Sequence, residues 1–210
     1  MEKRIRLLFL FSCIFYYSFT YSNSIIDTVC NQDMSIIISG KVVDTKGNPI
    51  ENAIVYLDAD IIEYPRTRKT DENGYFSFHN NPTGYTYELS VVKDDNHWQN
   101  VSTLDYVLMI RHMLGIEEEL DNPYKIIAAD MNADNKLTFI DLKHHRKLVL
   151  GIFGQLPENN SYRFVDASYE FPNPKAPWPD EDNNPYVIKF KPSEDVSFGF
   201  IGIKIGDVTI

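Results

Sequence analysis

Residues 130–141 read DMNADNKLTFID, with carboxylates or a carboxamide at the first, third, fifth and twelfth positions of one short loop. Carboxylates crowded in this way repel one another unless a hard cation neutralises them. Ca²⁺ takes roughly six to eight oxygen ligands, drawn from the first, third, fifth, seventh, ninth and twelfth positions of such a loop. Asp130, Asn132 and Asp134 are placed to supply side-chain oxygens and Lys136 its backbone carbonyl. Thr138 would act directly or through water, and Asp141 would close the shell while favouring the N-terminus of the following helix. Asn135 stands where the loop usually needs glycine, and asparagine is the side chain best able to enter the left-handed region there. A solvated acidic turn ending in a helix cap at Asp141 is the competing reading, and the number of agreeing positions favours the metal loop.

Working outward, residues 137–152 (LTFIDLKHHRKLVLGI) repeat residues 101–116 (VSTLDYVLMIRHMLGI) at a constant offset of 36, from Val101 to Leu137. The offset aligns Ser102 with Thr138, Asp105 with Asp141, and Leu114-Gly115-Ile116 with Leu150-Gly151-Ile152. Leu104, Val107, Leu108 and Leu114, with Ile110 and Arg111 beside them, give a helical stripe; Ile140, Leu142, Leu148, Val149 and Leu150 give a second. Each helix is expected to stop at a glycine in the left-handed cap, and the two to pack together to bury their stripes. Counting back from Asp105 places Asp94 first, Asn96 third, Trp98 fifth and Ser102 ninth in an upstream loop. An indole cannot bind a cation through oxygen, so this copy reads as a weaker or rearranged site built on Asp94, Asn96, Ser102 and Asp105, or as a metal-free turn that caps its helix. Neighbouring His144 and His145 point roughly 100° apart on a helix, which argues against a shared zinc ion and for a solvated face.

Between Ile36 and Val92 the period is two, with short alternating runs broken by Thr45-Lys46-Gly47-Asn48-Pro49 and Asp71-Glu72-Asn73-Gly74. Apolar alternation through Val42, Val55, Leu57, Phe76 and Phe78 predicts strands joined by hairpin turns in a small β-sandwich. Beyond Glu158, Tyr162, Phe164, Tyr169, Phe171 and Trp178 lie among prolines, and an alternating run spans 200–208. Tyr169 and Trp178 are candidates for a sugar-stacking platform, but pairing of Tyr162 to Val165 with Ile201 to Val208 as strands that wrap the helices or extend the sandwich is favoured.

The 210 residues carry 43% hydrophobic content, enough for real cores, and a net charge of −10 that argues against a nucleic-acid partner. The start, MEKRIRLLFLFSCIFYYSFTYSNS, reads as an export signal, because its apolar run is shorter than the roughly 20 residues needed to span a bilayer. No stable transmembrane span is therefore expected after cleavage, and the protein is expected to be secreted or on the outer cell surface. Lipidation at Cys13 is disfavoured because the apolar run continues past it. Cys30 would be the one thiol of the mature chain. No Ser-His-Asp, Cys-His, nucleophile-elbow or phosphate-loop pattern is present, so no enzymatic activity is expected.

Residues 39–57 (SGKVVDTKGNPIENAIVYL), 70–78 (TDENGYFSF) and 87–92 (YELSVV) resemble the carboxypeptidase regulatory-like, transthyretin-like domain. That resemblance implies a seven-stranded sandwich serving as a spacer or binding module, without catalysis. The paired loop–helix units resemble the dockerin domain of secreted proteins of the Bacteroidetes group. This likeness implies Ca²⁺ as cofactor and, as partner, a cohesin-like or other cell-surface protein met by the exposed helix faces. Met109, His112 and Met113 on the first helix and Lys143, His144 and Arg146 on the second are the candidates, although Met109 and Met113 read more readily as core. The expected organisation is an α+β multi-module chain: signal 1–22, linker 23–35, sandwich 36–93, dockerin-like repeat 94–152, and an aromatic, proline-rich extension with strands over 153–210. The expected function is calcium-dependent assembly or adhesion linked to extracellular polysaccharide handling. A polysaccharide-binding accessory protein, or a non-catalytic part of a secreted hydrolase, are the alternatives.

Overall fold

Ile36, Ile38 and Val42 alternate inward along one long strand, and their partners across the core are the inward residues Val55, Leu57, Leu89 and Val91. The computed structural model describes residues 35–116, 120–180 and 183–210; the stretch read as an export signal and both cysteines lie outside the described residues. Among the described residues no helix is long and apolar enough to cross a membrane.

The chain runs through β1 (Ser35–Asp44), β2 (Ile54–Ala59), β3 (Arg66–Lys69), β4 (Tyr75–Pro82) and β5 (Tyr87–Val92). It continues through helices α1 (Thr103–Met113), α2 (Pro123–Ala129) and α3 (Phe139–Val149), then β6 (Tyr162–Asp166), β7 (Val187–Phe190) and β8 (Val196–Lys204). The fold is thus an α+β multi-module arrangement. Two four-stranded sheets form, in the orders β4-β1-β8-β6 and β3-β2-β5-β7. Eight described strands stand where the family resemblance implied seven, and three of them come from beyond residue 160.

Strand β8 pairs in parallel with β1, from Ile38↔Val196 to Asp44↔Gly202, and antiparallel with β6, from Tyr162↔Lys204 to Asp166↔Phe200. The tail therefore extends the sandwich, and the boundary drawn at residue 93 separates modules in sequence but not in space. The turn at Asp71–Gly74 also differs from expectation. Gly74 takes φ 76, as a tight turn requires, but the turn carries the chain from β3 in one sheet to β4 in the other and does not close a hairpin.

Strands β6 and β8 present a different core on each face. Phe164 and Phe200 point into the sandwich with Phe76, Phe78 and Tyr87, whereas Val165 and Ile203 point outward into a second core with Met109, Ile127 and Leu148. The helices thus cover the outer face of the β4-β1-β8-β6 sheet at its β8-β6 side. Helix α2, capped by Asn122 with Pro123 in its first turn, buries Ile126, Ile127, Ala128 and Ala129 there.

Candidate metal centre and docking face

Both repeats build their helices with the same local chemistry. Ser102 and Asp105 form a capping box at α1, and Thr138 and Asp141 form its counterpart at α3. At the other end Gly115 (φ 66) and Gly151 (φ 68) take the left-handed position. There Ile116 N–H bonds Arg111 O at 3.0 Å and Ile152 N–H bonds Lys147 O at 2.9 Å.

The second loop curls through Ala133 (φ 60) and Asn135 (φ 58), so asparagine does occupy the left-handed position usually given to glycine. Asp130 is fully buried. Its Oδ1 accepts from Asp134 N–H at 3.2 Å, and its Oδ2 from Asn135 N–H and from Arg163 Nη1, both at 3.1 Å. Burial pushes the Asp130 carboxyl above its ordinary value, Arg163 opposes that shift, and the charge of Asp141 adds to it. Asp141 receives Met131 N–H on Oδ1 at 2.9 Å and Thr138 N–H on Oδ2 at 2.7 Å. Asp134 receives Asn132 Nδ2 at 2.9 Å and Lys136 N–H at 3.0 Å.

Asn132 Oδ1 is shielded from solvent and has no hydrogen-bond partner. A buried oxygen without a donor is costly, and it sits in a loop where three carboxylates face one guanidinium. A hard, oxygen-seeking cation satisfies both conditions, so the donor set of Asp130, Asn132, Asp134, the Lys136 carbonyl, Thr138 and Asp141 fits calcium. Among the described residues no three His, Cys, Asp or Glu side chains are drawn together as an ion site.

The first loop does not fit. Asp94 Oδ1 is taken by His97 Nε2 and by Ser161 N–H, each at 2.9 Å. Asp105 spends Oδ2 on the Ser102 N–H and hydroxyl and Oδ1 on Val208 N–H, all at 2.8 Å. Trp98 turns its Nε1–H to Phe153 O at 3.2 Å, and Asn96 is exposed. Ser102 Oγ is engaged in the cap. Ser102 and Asp105 are engaged much as Thr138 and Asp141 are in the second loop, so what sets the first loop apart is Asp94 paired with His97, the exposed Asn96, and Trp98, which offers no oxygen.

The helix stripes are split between core and surface: Leu142 and Leu148 are buried as expected, and Leu108 and Ile110 pack against the same core, but other members are not buried. Leu104 (55% exposed), Val107 (46%), Leu114 (60%), Ile140 (49%) and Leu150 (60%) lie outward. The buried positions are Asp105 and Met109 in α1, and Asp141, Leu142, His145 and Leu148 in α3. Between the two helices the Tyr106 ring stacks on His145. Met109 is fully buried and cannot meet a partner, and Met113 packs against the same core. His112 is half-buried and accepts Leu120 N–H on Nδ1 at 3.3 Å. Lys143 and Arg146 are exposed, and with Tyr106, Ile110, Leu114 and Phe139 they line a groove of about 280 Å³ between α1 and α3.

His144 is half-buried against Phe153. His145 is fully buried, contrary to the solvated face expected for it; its Nε2 donates to Gly206 O at 3.0 Å and its ring stacks on Tyr106. Trp178 and Tyr169 are half-buried against the second core and form no open platform. The sequence reading missed Arg163 and Asn159, which brace the second loop from β6 and the segment before it. It also missed Lys204, whose signal was a lone charge inside the apolar run 198–206.

A duplicated loop–helix unit, capped in the same way in both copies, is thus carried on a β-sandwich. Residues 37–105 match the carboxypeptidase regulatory-like domain and residues 92–148 match the dockerin type I domain, in that order. Both are non-catalytic kinds of domain, and dockerin type I domains in general bind calcium and typically pair with cohesins. No curated protein matches the chain in sequence. Among solved structures, a 9R-lipoxygenase from Cyanothece PCC8801 is similar at 18% identity and TM-score 0.24 over 29% of this chain. A 3-chlorocatechol 1,2-dioxygenase from Rhodococcus opacus 1CP is similar at 15% identity and TM-score 0.22 over 28% of it. These matches span 11% and 39% of the two solved chains, and likenesses this slight carry no argument.

Proposed function

We propose that this chain is an exported, non-catalytic assembly protein that binds calcium in its second loop and docks a cohesin-like partner through the outward faces of α1 and α3. The observation that carries the reading is the set of large apolar side chains left outside at repeat-related positions: Leu104 with Ile140, Leu114 with Leu150, and Ile116 with Ile152. Large apolar side chains left exposed in this number mark an interaction site, and Lys143 and Arg146, which line one groove with Leu114 and Phe139, favour a partner with an acidic rim. Asp130, Asn132, Asp134, Lys136, Thr138 and Asp141 would hold the ion. Bound calcium supplies the positive charge that lets three carboxylates share a loop. Because it binds only the folded loop, occupancy adds RT ln(1 + [Ca²⁺]/Kd) to stability, about 2.7 kcal/mol at a hundredfold excess over Kd.

Thermal unfolding with calcium or chelator tests the metal half of the proposal. Calcium is expected to raise the Tm by about 5–10 °C, and Asp134→Ala to remove that rise. The docking half is tested in the same samples. Leu114→Asp with Leu150→Asp is expected to keep the calcium response and lose binding to a cohesin panel. Equal melting with and without calcium, or unchanged binding by the double variant, would refute the respective half.

A second reading, glycan binding linked to extracellular polysaccharide handling, is favoured by one observation. Trp98 is half exposed, anchored through Nε1, and edges a cleft of about 390 Å³ with Asp95, Asn96 and Gln155. An anchored indole beside polar groups suits a pyranose face.

A further inference from the structure

The first loop has lost its ligand set, yet a positive charge is held against it. Lys204, at the end of β8, is 4% exposed. Its Nζ donates to His97 O at 3.0 Å, Ser161 O at 3.3 Å and Ile205 O at 3.4 Å. The three N–H donors of an ammonium are thereby matched by three carbonyl oxygens, one of them from the loop itself. The ring of Tyr162 lies 5.4 Å from Nζ. Burial lowers the Lys204 ammonium to about 8, against the opposing charges of Asp207, Asp95 and Asp94, so it remains largely protonated at neutral pH.

The side chains that would otherwise need a metal are closed by the same neighbourhood. Asp94 is capped by His97 Nε2 and Ser161 N–H. Asp95 pairs with Lys93 at 2.7 Å and its N–H bonds Ser161 Oγ at 2.9 Å. His97 Nδ1 accepts Leu156 N–H at 3.3 Å, which fixes the Nε2–H tautomer that faces Asp94.

We propose that Lys204 is the resident cation of the first loop, so that this repeat is ordered without metal and the chain binds one calcium ion in place of two. The count of one rests on the second-loop reading above; the Lys204 clamp does not.

Hydrogen exchange on the full-length chain, stripped with chelator and measured with and without calcium chloride, separates the two. Residues 94–101 are expected to exchange at the same rate in both conditions, and Lys204→Met to speed that exchange at least about tenfold in both. Residues 130–138 are expected to slow with calcium in the parent chain and not in Asp134→Ala. Slowing of residues 94–101 by calcium in Asp134→Ala would overturn the proposal, as would a folded Lys204→Met chain that protects them normally. If residues 130–138 ignore calcium while Lys204→Met still frees 94–101, the calcium reading falls and the clamp stands. Should Lys204→Met fail to fold, calcium titration of the parent chain and of Asp94→Asn decides. One site in both supports the proposal; two sites, or one site lost in Asp94→Asn, defeat it.

Discussion

Gly40 lies in the middle of β1, opposite Phe76 on one side and Phe198 on the other. A methyl group there would meet the Phe198 carbonyl and the Phe76 ring, neither of which can withdraw without moving a strand or the core. Gly154 has an ordinary φ and open space around it. Gly40→Ala is therefore expected to cost about 1–3 kcal/mol and Gly154→Ala less than about 0.5, read as urea midpoints. Equal midpoints would mean that the strand gives way more easily than its packing implies. At this scale the sequence was informative wherever chemistry marks conformation. Asn135 announced its left-handed backbone, whereas Ala133, with the same φ, carries no such mark. His145 was unreadable for a related reason, since its buried place depends on Gly206, 61 residues away.

Caps and helix ends were legible as elements because their determinants lie within one turn of the chain. Which members of the apolar stripes turn inward was not, since periodicity reports that a helix has an apolar face but not which neighbour that face serves. Strands β3 (RTRK) and β7 (VIKF) are short, and β3 is polar, so neither shows an alternating run. Helix α3 also carries a pH consequence. Burial holds the His145 imidazole below its ordinary value, with the Gly206 hydrogen bond and the charge of Asp105 opposing, and the stacked Tyr106 covers the ring. The folded chain then binds this proton less readily than the unfolded chain, so the stability is fully present above the unfolded value, near ~6.5, and is lost as pH falls through the folded one. His97, lowered chiefly by burial, acts in the same direction. The urea midpoint is expected to fall from pH 7.5 to pH 5, and His145→Gln to reduce the fall. A midpoint that stays flat or rises on acidification would exclude this linkage.

Taken as a whole, the molecule completes both of its cores with residues from beyond 160, and β6 and β8 serve one core on each face. Phe164, Ile188 and Phe200 belong to the sandwich core, and Val165, Ile203, Ile205 and Val208 to the helical one. A fragment comprising residues 35–158 lacks all seven and leaves one side of β1 unpaired. It is expected to show no cooperative melting transition by circular dichroism and to bind a hydrophobic dye, where the intact chain melts cooperatively. A sharp melt of that fragment would show that the sandwich closes without its tail. Parallel pairing of the first described strand with the last has a further consequence for biosynthesis. While the polypeptide is still emerging from the ribosome, β1 has no neighbour on one side until residue 196 and beyond have left the exit tunnel. A nascent chain that cannot finish its sheet stays pliable, and its final closure is deferred until synthesis has passed that point.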